Sequence, residues 1–350
     1  MTEPVSISVI LITFRRPALL KACLESLAAA RSPELTEVIA ALNGRGDGET
    51  AACLREAAGK YDFLRVLELP RSCRGEARNA AVKTARGSWL CFLDDDTEVP
   101  PAYFTNLARE IRRGGADVLG GGQALEAETA PVFEQAVGFA LSSFWGAGPY
   151  RVRFRPFEGS RAAGPEEFIL CNLALRRAAL EKNSLSFEGH LTSAEENLLL
   201  NKLAARGSAM RMSGGLNLFH RRRAGYAAFA GQLFRSGMGR AQMTSLYPAG
   251  FTVFTALPAL GLGAFACGSF FAPGWLGAAA WAYLAACAFF ALREARAAGL
   301  RTAWVCFSLF PVVHFSYAAG WWWGMLETVR DRFLGRQAPR SRCVCGKEIA

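Results

Sequence analysis

Ala85-Arg-Gly-Ser-Trp-Leu-Cys-Phe-Leu-Asp-Asp-Asp96 runs in one short stretch from a helix end through an apolar segment to three adjacent carboxylates. Trp89 to Leu93 is a continuous apolar run of the length of a strand buried on both faces. Three carboxylates directly after it repel one another, so something cationic should offset them. A hard divalent cation bridging phosphate oxygens fits, because Mg2+ and Mn2+ are held by one or two carboxylates plus a substrate's phosphates. A solvated acidic turn is the plain alternative for the three residues taken alone.

Upstream the chain alternates. Val5–Ile12 is a β-rich run, and Pro17, Leu19, Leu20, Cys23, Leu24 and Leu27 follow at helical spacing, with Pro17 suited to a first turn. Glu37–Leu42 and Leu64–Glu68 read as strands, and Glu49–Ala58 and Gly75–Ala85 as helices. Repeated βα units predict an α/β fold with a parallel sheet covered by helices and ligands at the carboxyl ends of the strands. The loops at that edge, Thr13–Arg16, Asn43–Asp47 and Asp94–Thr97, should hold the chemistry.

The formal charge of +10 over 350 residues is unevenly placed. Residues 1–201 hold 23 basic and 26 acidic side chains, whereas 202–240 hold 8 basic and none acidic. The basic excess therefore adjoins the apolar C-terminal part, and it forms no groove-sized aromatic face of the kind that binds nucleic acid. Phe251 to Leu292 contains no Asp, Glu, Lys or Arg over 42 residues, about 63 Å of helix and roughly twice a hydrocarbon core. Pro273 and Gly274 mark a turn, giving spans at 251–271 and 275–292. A second uncharged run, 302–326, is long enough for a third span but is interrupted by Pro311, His314 and Gly320, and its Trp321–Trp323 resembles an interfacial belt. It either crosses or lies in the interface, and these alternatives put the basic tail, 327–350, on opposite sides. No basic n-region precedes the first apolar run, so the N-terminal half is expected in the cytoplasm. The ten cysteines form neither a zinc pattern nor a disulfide framework, which suggests reduced, mostly buried thiols.

Val9-Ile-Leu-Ile-Thr-Phe-Arg15, Gly75-Glu-Ala-Arg-Asn-Ala-Ala81 and Ala85 to Asp96, in this order and spacing, resemble the successive signatures of inverting family 2 glycosyltransferases. The resemblance covers about residues 5–240. It implies a GT-A fold, the Rossmann-like nucleotide-diphospho-sugar transferase architecture, followed here by C-terminal transmembrane helices. It also implies a nucleotide-sugar donor, with Thr13 and Arg15 bordering the base, Arg78 near the diphosphate, Asp94 near the ribose with Asp95 beside it, and Asp96 on a Mg2+ or Mn2+ ion. The family's acidic residue at the end of the second strand is absent from Ala41-Leu42-Asn43-Gly44, leaving Asn43 or Asp47 as substitutes. UDP is the commonest donor nucleotide in such enzymes, and GDP is not excluded.

Phe168-Ile-Leu-Cys-Asn-Leu-Ala-Leu-Arg176 and Ser193-Ala-Glu-Glu-Asn-Leu-Leu-Leu200 resemble the acceptor half of that family. The resemblance points to Glu196 as catalytic base and Glu195 as its support; an acid-rich helix start capped by Ser193 is the structural alternative. His220 and Arg235 are placed to approach the diphosphate. Gln232-x-x-Arg235 resembles a motif of processive synthases, but Ser236 stands where Trp is expected. The acid-free stretch with Tyr226, Phe229, Leu233 and Phe234 suits a helix at an anionic membrane surface. The expected organisation is a GT-A domain over 1–205, a basic amphipathic interfacial linker over 206–250, about three transmembrane segments over 251–326 and the tail. The expected function is metal-dependent inverting transfer of a sugar to a lipid-linked or membrane-associated acceptor at the cell membrane, in polysaccharide or glycolipid assembly. A processive synthase and a non-catalytic membrane scaffold are the alternatives.

Overall fold

The computed structural model describes residues 4–45, 47–124, 130–271 and 273–335. Cys343 and Cys345, and most of the basic tail, lie outside the described residues. The strands are β1 (Ile7–Thr13), β2 (Leu35–Asn43), β3 (Leu64–Leu69), β4 (Trp89–Asp94), β5 (Thr97–Glu98), β6 (Val118–Gly120), β7 (Gln123–Ala124), β8 (Ser160–Ala162), β9 (Asn172–Arg176), β10 (Met210–Ser213) and β11 (Leu218–His220). The helices of the first half are α1 (Pro17–Ala29), α2 (Gly48–Lys60), α3 (Arg74–Thr84), α4 (Tyr103–Arg113), α5 (Val132–Ser142), α6 (Phe144–Ala147), α7 (Arg177–Lys182) and α8 (Glu195–Ala204). Four long helices follow: α9 (Tyr226–Leu246), α10 (Val253–Phe271), α11 (Leu276–Ala295) and α12 (Leu300–Phe333).

Eight strands form the main sheet in the order β3-β2-β1-β4-β9-β6-β10-β8, and β5-β11-β7 form a small second sheet. The first four strands are parallel, as the βα repeats predict. The full sheet is mixed, because β9 runs antiparallel to both β4 and β6. Alternating residues of β1 serve opposite faces: Val9 and Leu11 pack with Leu20, Leu24 and Leu54, and Ile10 packs with Phe92, Phe187 and Leu199. With Ile12 level with Asp94 and Thr13 with Leu42, the carboxyl ends of β1, β2 and β4 share one edge. β10 and β11 fall within 206–250, the stretch read as a linker, and belong to the two sheets. They are too short to announce themselves by periodicity.

Helices α10, α11 with the turn after it, and α12 are each long and apolar enough to cross a membrane. Pro273 and Gly274 do form the turn between the first two. Pro311 and Gly320 do not interrupt the third: α12 is one continuous helix of 34 residues. A backbone approach explains Gly320, whose missing Cβ leaves room for the carbonyl of Phe234 on α9. The helix at 226–246 is thus packed between α12 and the sheet domain, with Phe229, Leu233 and Met238 buried. The eight described cysteines are free, and Cys267 is the exposed one among them.

Candidate active site

The strand-end carboxylates are separated by their surroundings. Asp94 is partly exposed, with 40% of its side chain open to solvent, whereas Asp95 and Asp96 are buried. Asp95 accepts from the Thr13 hydroxyl at 2.8 Å and from Arg16 Nη1 at 3.0 Å. Burial pushes the Asp95 carboxyl up to about 6, against the pull of Arg16. Asp96 is the hub of the cationic partners that the triplet needs. Arg16 Nη1 donates to it at 2.9 Å, His220 Nε2 lies 3.1 Å from its Oδ1, and Arg223 is 3.7 Å away. Burial opposes its charge, yet His220, Arg16 and Arg223 hold it well below the usual carboxylate range.

Arg15 takes up a left-handed backbone conformation, φ 54°, and its amide donates to the Asp47 carboxylate. Asp47 also caps α2 through the Thr50 amide at 3.1 Å. Asn43 clamps the β3–α3 loop, donating to the Ser72 carbonyl at 2.9 Å and accepting from its amide at 3.0 Å. Both candidate substitutes for a base-contacting acid are therefore engaged in shaping the loops of this edge.

Arg78 joins the two halves of the site. Its Nη1 donates to Glu195 Oε1 at 2.5 Å and its Nη2 lies 3.8 Å from Asp94 Oδ1. Glu196, next along α8, is buried, and burial together with Glu195 raises its carboxyl above the ordinary range, while Arg240 and Arg153 oppose the rise. Ser193 does not cap this helix. The N-cap is Ala194 at φ 67°, and the Ser193 hydroxyl donates to the Arg235 carbonyl at 2.9 Å. Left-handed non-glycine residues at Arg15 and Ala194 therefore flank the site on both sides, as strained backbone often does.

Arg235 stands in a cationic neighbourhood with Arg16, Arg74 and Arg223, and burial and these charges together lower its guanidinium. Such a group of cations suits a ligand carrying several negative charges. Asp94, Cys171 and His220 bring an oxygen, a sulfur and a nitrogen within 4.8 Å of one another. Asp96 Oδ1 lies beside this group, 3.1 Å from His220 Nε2 as its hydrogen-bond partner. The donor set at this edge fits a divalent metal ion. Sequence reasoning had placed Asp96 and His220 separately; it missed the roles of Arg16, Gln123, Arg153, Asn197 and Arg240. Gln123 accepts from Arg222 at 2.5 Å and lies 3.2 Å from His220 Nδ1, so it steadies the imidazole.

Residues 8–180 match the family model Glycosyl transferase family 2, and this part of the chain is a domain of that family. The chain is 30% identical over 182 residues to the succinoglycan biosynthesis protein ExoM of Rhizobium meliloti (strain 1021), covering 51% of this chain and 53% of that one. It is 28% identical over 118 residues to the uncharacterized glycosyltransferase EpsJ of Bacillus subtilis (strain 168), covering 33% of each. The chain thus spans about half the length of the first of these relatives and a third of the second. The structure resembles that of the mannosyltransferase PcManGT from Pyrobaculum calidifontis in complex with GDP-Man and Mn2+, with TM-score 0.58, 18% identity, and 92% of this chain and 88% of that one covered. It also resembles S. aureus TarS 1-349 in complex with UDP-GlcNAc, with TM-score 0.53, 17% identity, and 95% and 92% covered. The fold is GT-A.

Proposed function

We propose that the protein is a metal-dependent, inverting glycosyltransferase that moves a sugar from a nucleotide-sugar to a lipid-linked or membrane-associated acceptor. The observation that carries this reading is Arg78, which touches Glu195 and reaches towards Asp94, so that one side chain links a strand-end carboxylate to the helix start that carries the candidate base. Asp96 and His220, with Asp94, would hold a divalent metal ion, which would supply positive charge against the negative charge of a departing diphosphate. Arg16, Arg223 and Arg235 supply fixed positive charge for the same diphosphate. Glu196 removes the proton from the attacking hydroxyl, and its raised basicity suits it to that step near neutral pH. A single base opposite the leaving group corresponds to one displacement and inversion of the anomeric centre.

The relatives named for succinoglycan biosynthesis and for glycosyl transfer support a role in polysaccharide or glycolipid assembly. The complexes of the structural neighbours with GDP-Man and UDP-GlcNAc support a nucleotide-sugar donor, UDP-sugars being the first to try. The apolar helices support attachment to a membrane; a cytoplasmic catalytic domain is part of the proposal. A panel of UDP- and GDP-sugars with Mn2+, read by thermal shift and nucleotide release, tests the reading. One donor should stabilise the protein and turn over; no shift and no release across the panel would refute it.

A further inference from the structure

We propose that Asn197, gripped by Arg153 and Arg240, is the positioning residue for Glu196, and that Arg240 makes the orientation of this base depend on how α9 is seated against α12. The inference rests on Glu196 being the base.

Asn197 Oδ1 accepts from Arg240 Nη2 at 2.8 Å and from Arg153 Nη2 at 3.3 Å. A guanidinium has donors and no acceptor, so two of them fix which end of the carboxamide faces them. The Nδ2 end is thereby turned to Glu196, donating to its Oε1 at 2.5 Å. That hydrogen bond holds the Glu196 carboxylate by its Oε1. Holding the buried Arg153 guanidinium beside that of the half-buried Arg240 is costly, and it is offset here by the carboxylate they face. Arg153 is 4% exposed, also donates to the Glu166 carbonyl, and its Nε has no hydrogen-bond partner. Burial and Arg240 lower its guanidinium to about 10, against the pull of Glu196. The Tyr150 ring lies 5.3 Å from the Arg153 guanidinium carbon and 5.4 Å from that of Arg240. The charged groups facing Glu196 are Glu195 on α8, Arg153 on the turn at 148–154 and Arg240 on α9, with the Cys171 thiol ahead of β9.

Arg240 is carried by a helix with backbone contacts on both sides. Towards the site, Gly239 packs on Ser193, and Gln242 Oε1 accepts from the Thr192 amide at 3.1 Å. Towards α12, Gly237 packs on the Tyr317 carbonyl and Gly320 receives the Phe234 carbonyl. A shift of α12 therefore moves Arg240 and the loop that starts α8 together.

The test uses the full chain in nanodiscs and the UDP- or GDP-sugar that turns over in the panel. Asn197→Ala should lower kcat by about 10- to 100-fold, the scale of a small misplacement of a reacting group, with donor KM near wild type. Losing a hydrogen bond to the carboxylate raises its pKa, so the acid limb of the kcat profile should move to higher pH. Arg240→Gln should move the limb the same way, and Arg240→Lys, which keeps the charge, should restore most of it. Gly320→Leu should lower kcat while the matching nucleotide, UDP or GDP, with Mn2+ still shifts the melting temperature. An Asn197→Ala enzyme with wild-type kcat and an unmoved limb overturns the positioning role, as does an equal loss of nucleotide binding. Full kcat in Gly320→Leu overturns the link to α12. Glu196→Gln separates the two levels: an inactive Glu196→Gln beside a wild-type-like Asn197→Ala overturns this inference alone, and an active Glu196→Gln overturns the base itself. If Asn197→Ala does not fold, Arg240→Gln, at a partly exposed position, decides by the same limb.

Discussion

Replacing Arg78 by Met should cost stability as well as activity, and the structure sets the size of the loss. The side chains of Arg78 and Glu195 are 6% and 5% exposed, and their contact at 2.5 Å is the close one. Removing one partner of a buried pair leaves the other charge unpaired, which costs about 3–5 kcal/mol. At about 2–4 °C per kcal/mol for a domain of this order, the melting temperature should fall by roughly 6–20 °C. Asp94 contributes little to this, being 3.8 Å away and substantially solvated. The second mutation is the informative one. Glu195→Gln in the Arg78→Met background removes the stranded charge, so the double variant should recover most of the loss and remain below wild type by about 1–2 kcal/mol, the scale of a lost hydrogen bond. Thermal unfolding followed by tryptophan fluorescence in detergent, with both single variants and the double, completes the cycle. A single Arg78→Met variant that melts within a degree of wild type, or a double variant no more stable than the sum of the singles, would refute the pairing.

Four further outcomes follow from the same geometry. Glu196→Gln should reduce turnover by about 10²- to 10⁴-fold with donor affinity kept, and Glu195→Gln should reduce it less; the reverse order would make Glu195 the base. Asp96→Ala should abolish both transfer and Mn2+-dependent nucleotide binding, and full activity in EDTA would remove the metal from the mechanism. Because Glu196, as the proposed base, would have to be ionised to act and its carboxyl sits above the ordinary range, activity should fall on acidification at a higher pH than a solvated glutamate would give; a pH profile flat down to the ordinary range would contradict this. Labelling of Cys343 and Cys345 in intact cells by an impermeant thiol reagent reports the side of the tail: reaction places it outside, as three full crossings require, and protection places it inside.

The parallel half of the fold was legible because its signals are local. Predicted Glu37–Leu42 and observed Leu35–Asn43, or predicted Gly75–Ala85 and observed Arg74–Thr84, differ by a residue or two at each end. The antiparallel insertion was not legible, since β6, β8 and β11 have three residues each and derive their order from neighbours rather than from periodicity. The same division runs through the site. Three adjacent aspartates after an apolar strand announce themselves, whereas Arg153 and Arg240 reach Asn197 across 44 and 43 residues of sequence. Arg16 lay inside a loop marked for chemistry, but only the fold shows its one guanidinium nitrogen between Asp95 and Asp96.

The long helix α12 also has a different environment from its neighbours, and this bears on the membrane. In α10 and α11 the most apolar windows are 17% and 11% buried within the protein, and in α12 the figure is 39%. Its buried residues, among them Ala303, Cys306, Phe310, Val313, Gly320, Trp321, Gly324 and Thr328, recur at helical spacing along nearly the whole length. One face of α12 is therefore occupied by α5, α9 and α11, as the shared cluster of Ala136, Phe229, Cys287 and Leu309 shows. The outer face presents Trp304, Phe315, Trp322, Trp323, Leu326 and Phe333. Thirty-four residues extend about 51 Å, well beyond a hydrocarbon core of about 30 Å. A helix that long, with one face packed on α5, α9 and α11 and aromatic residues along the other, would serve in a membrane as a seat for the domain as much as a crossing. Under the proposed function, such a seat would fix the height of α9, and with it the distance from the membrane at which Glu196 would meet an acceptor hydroxyl.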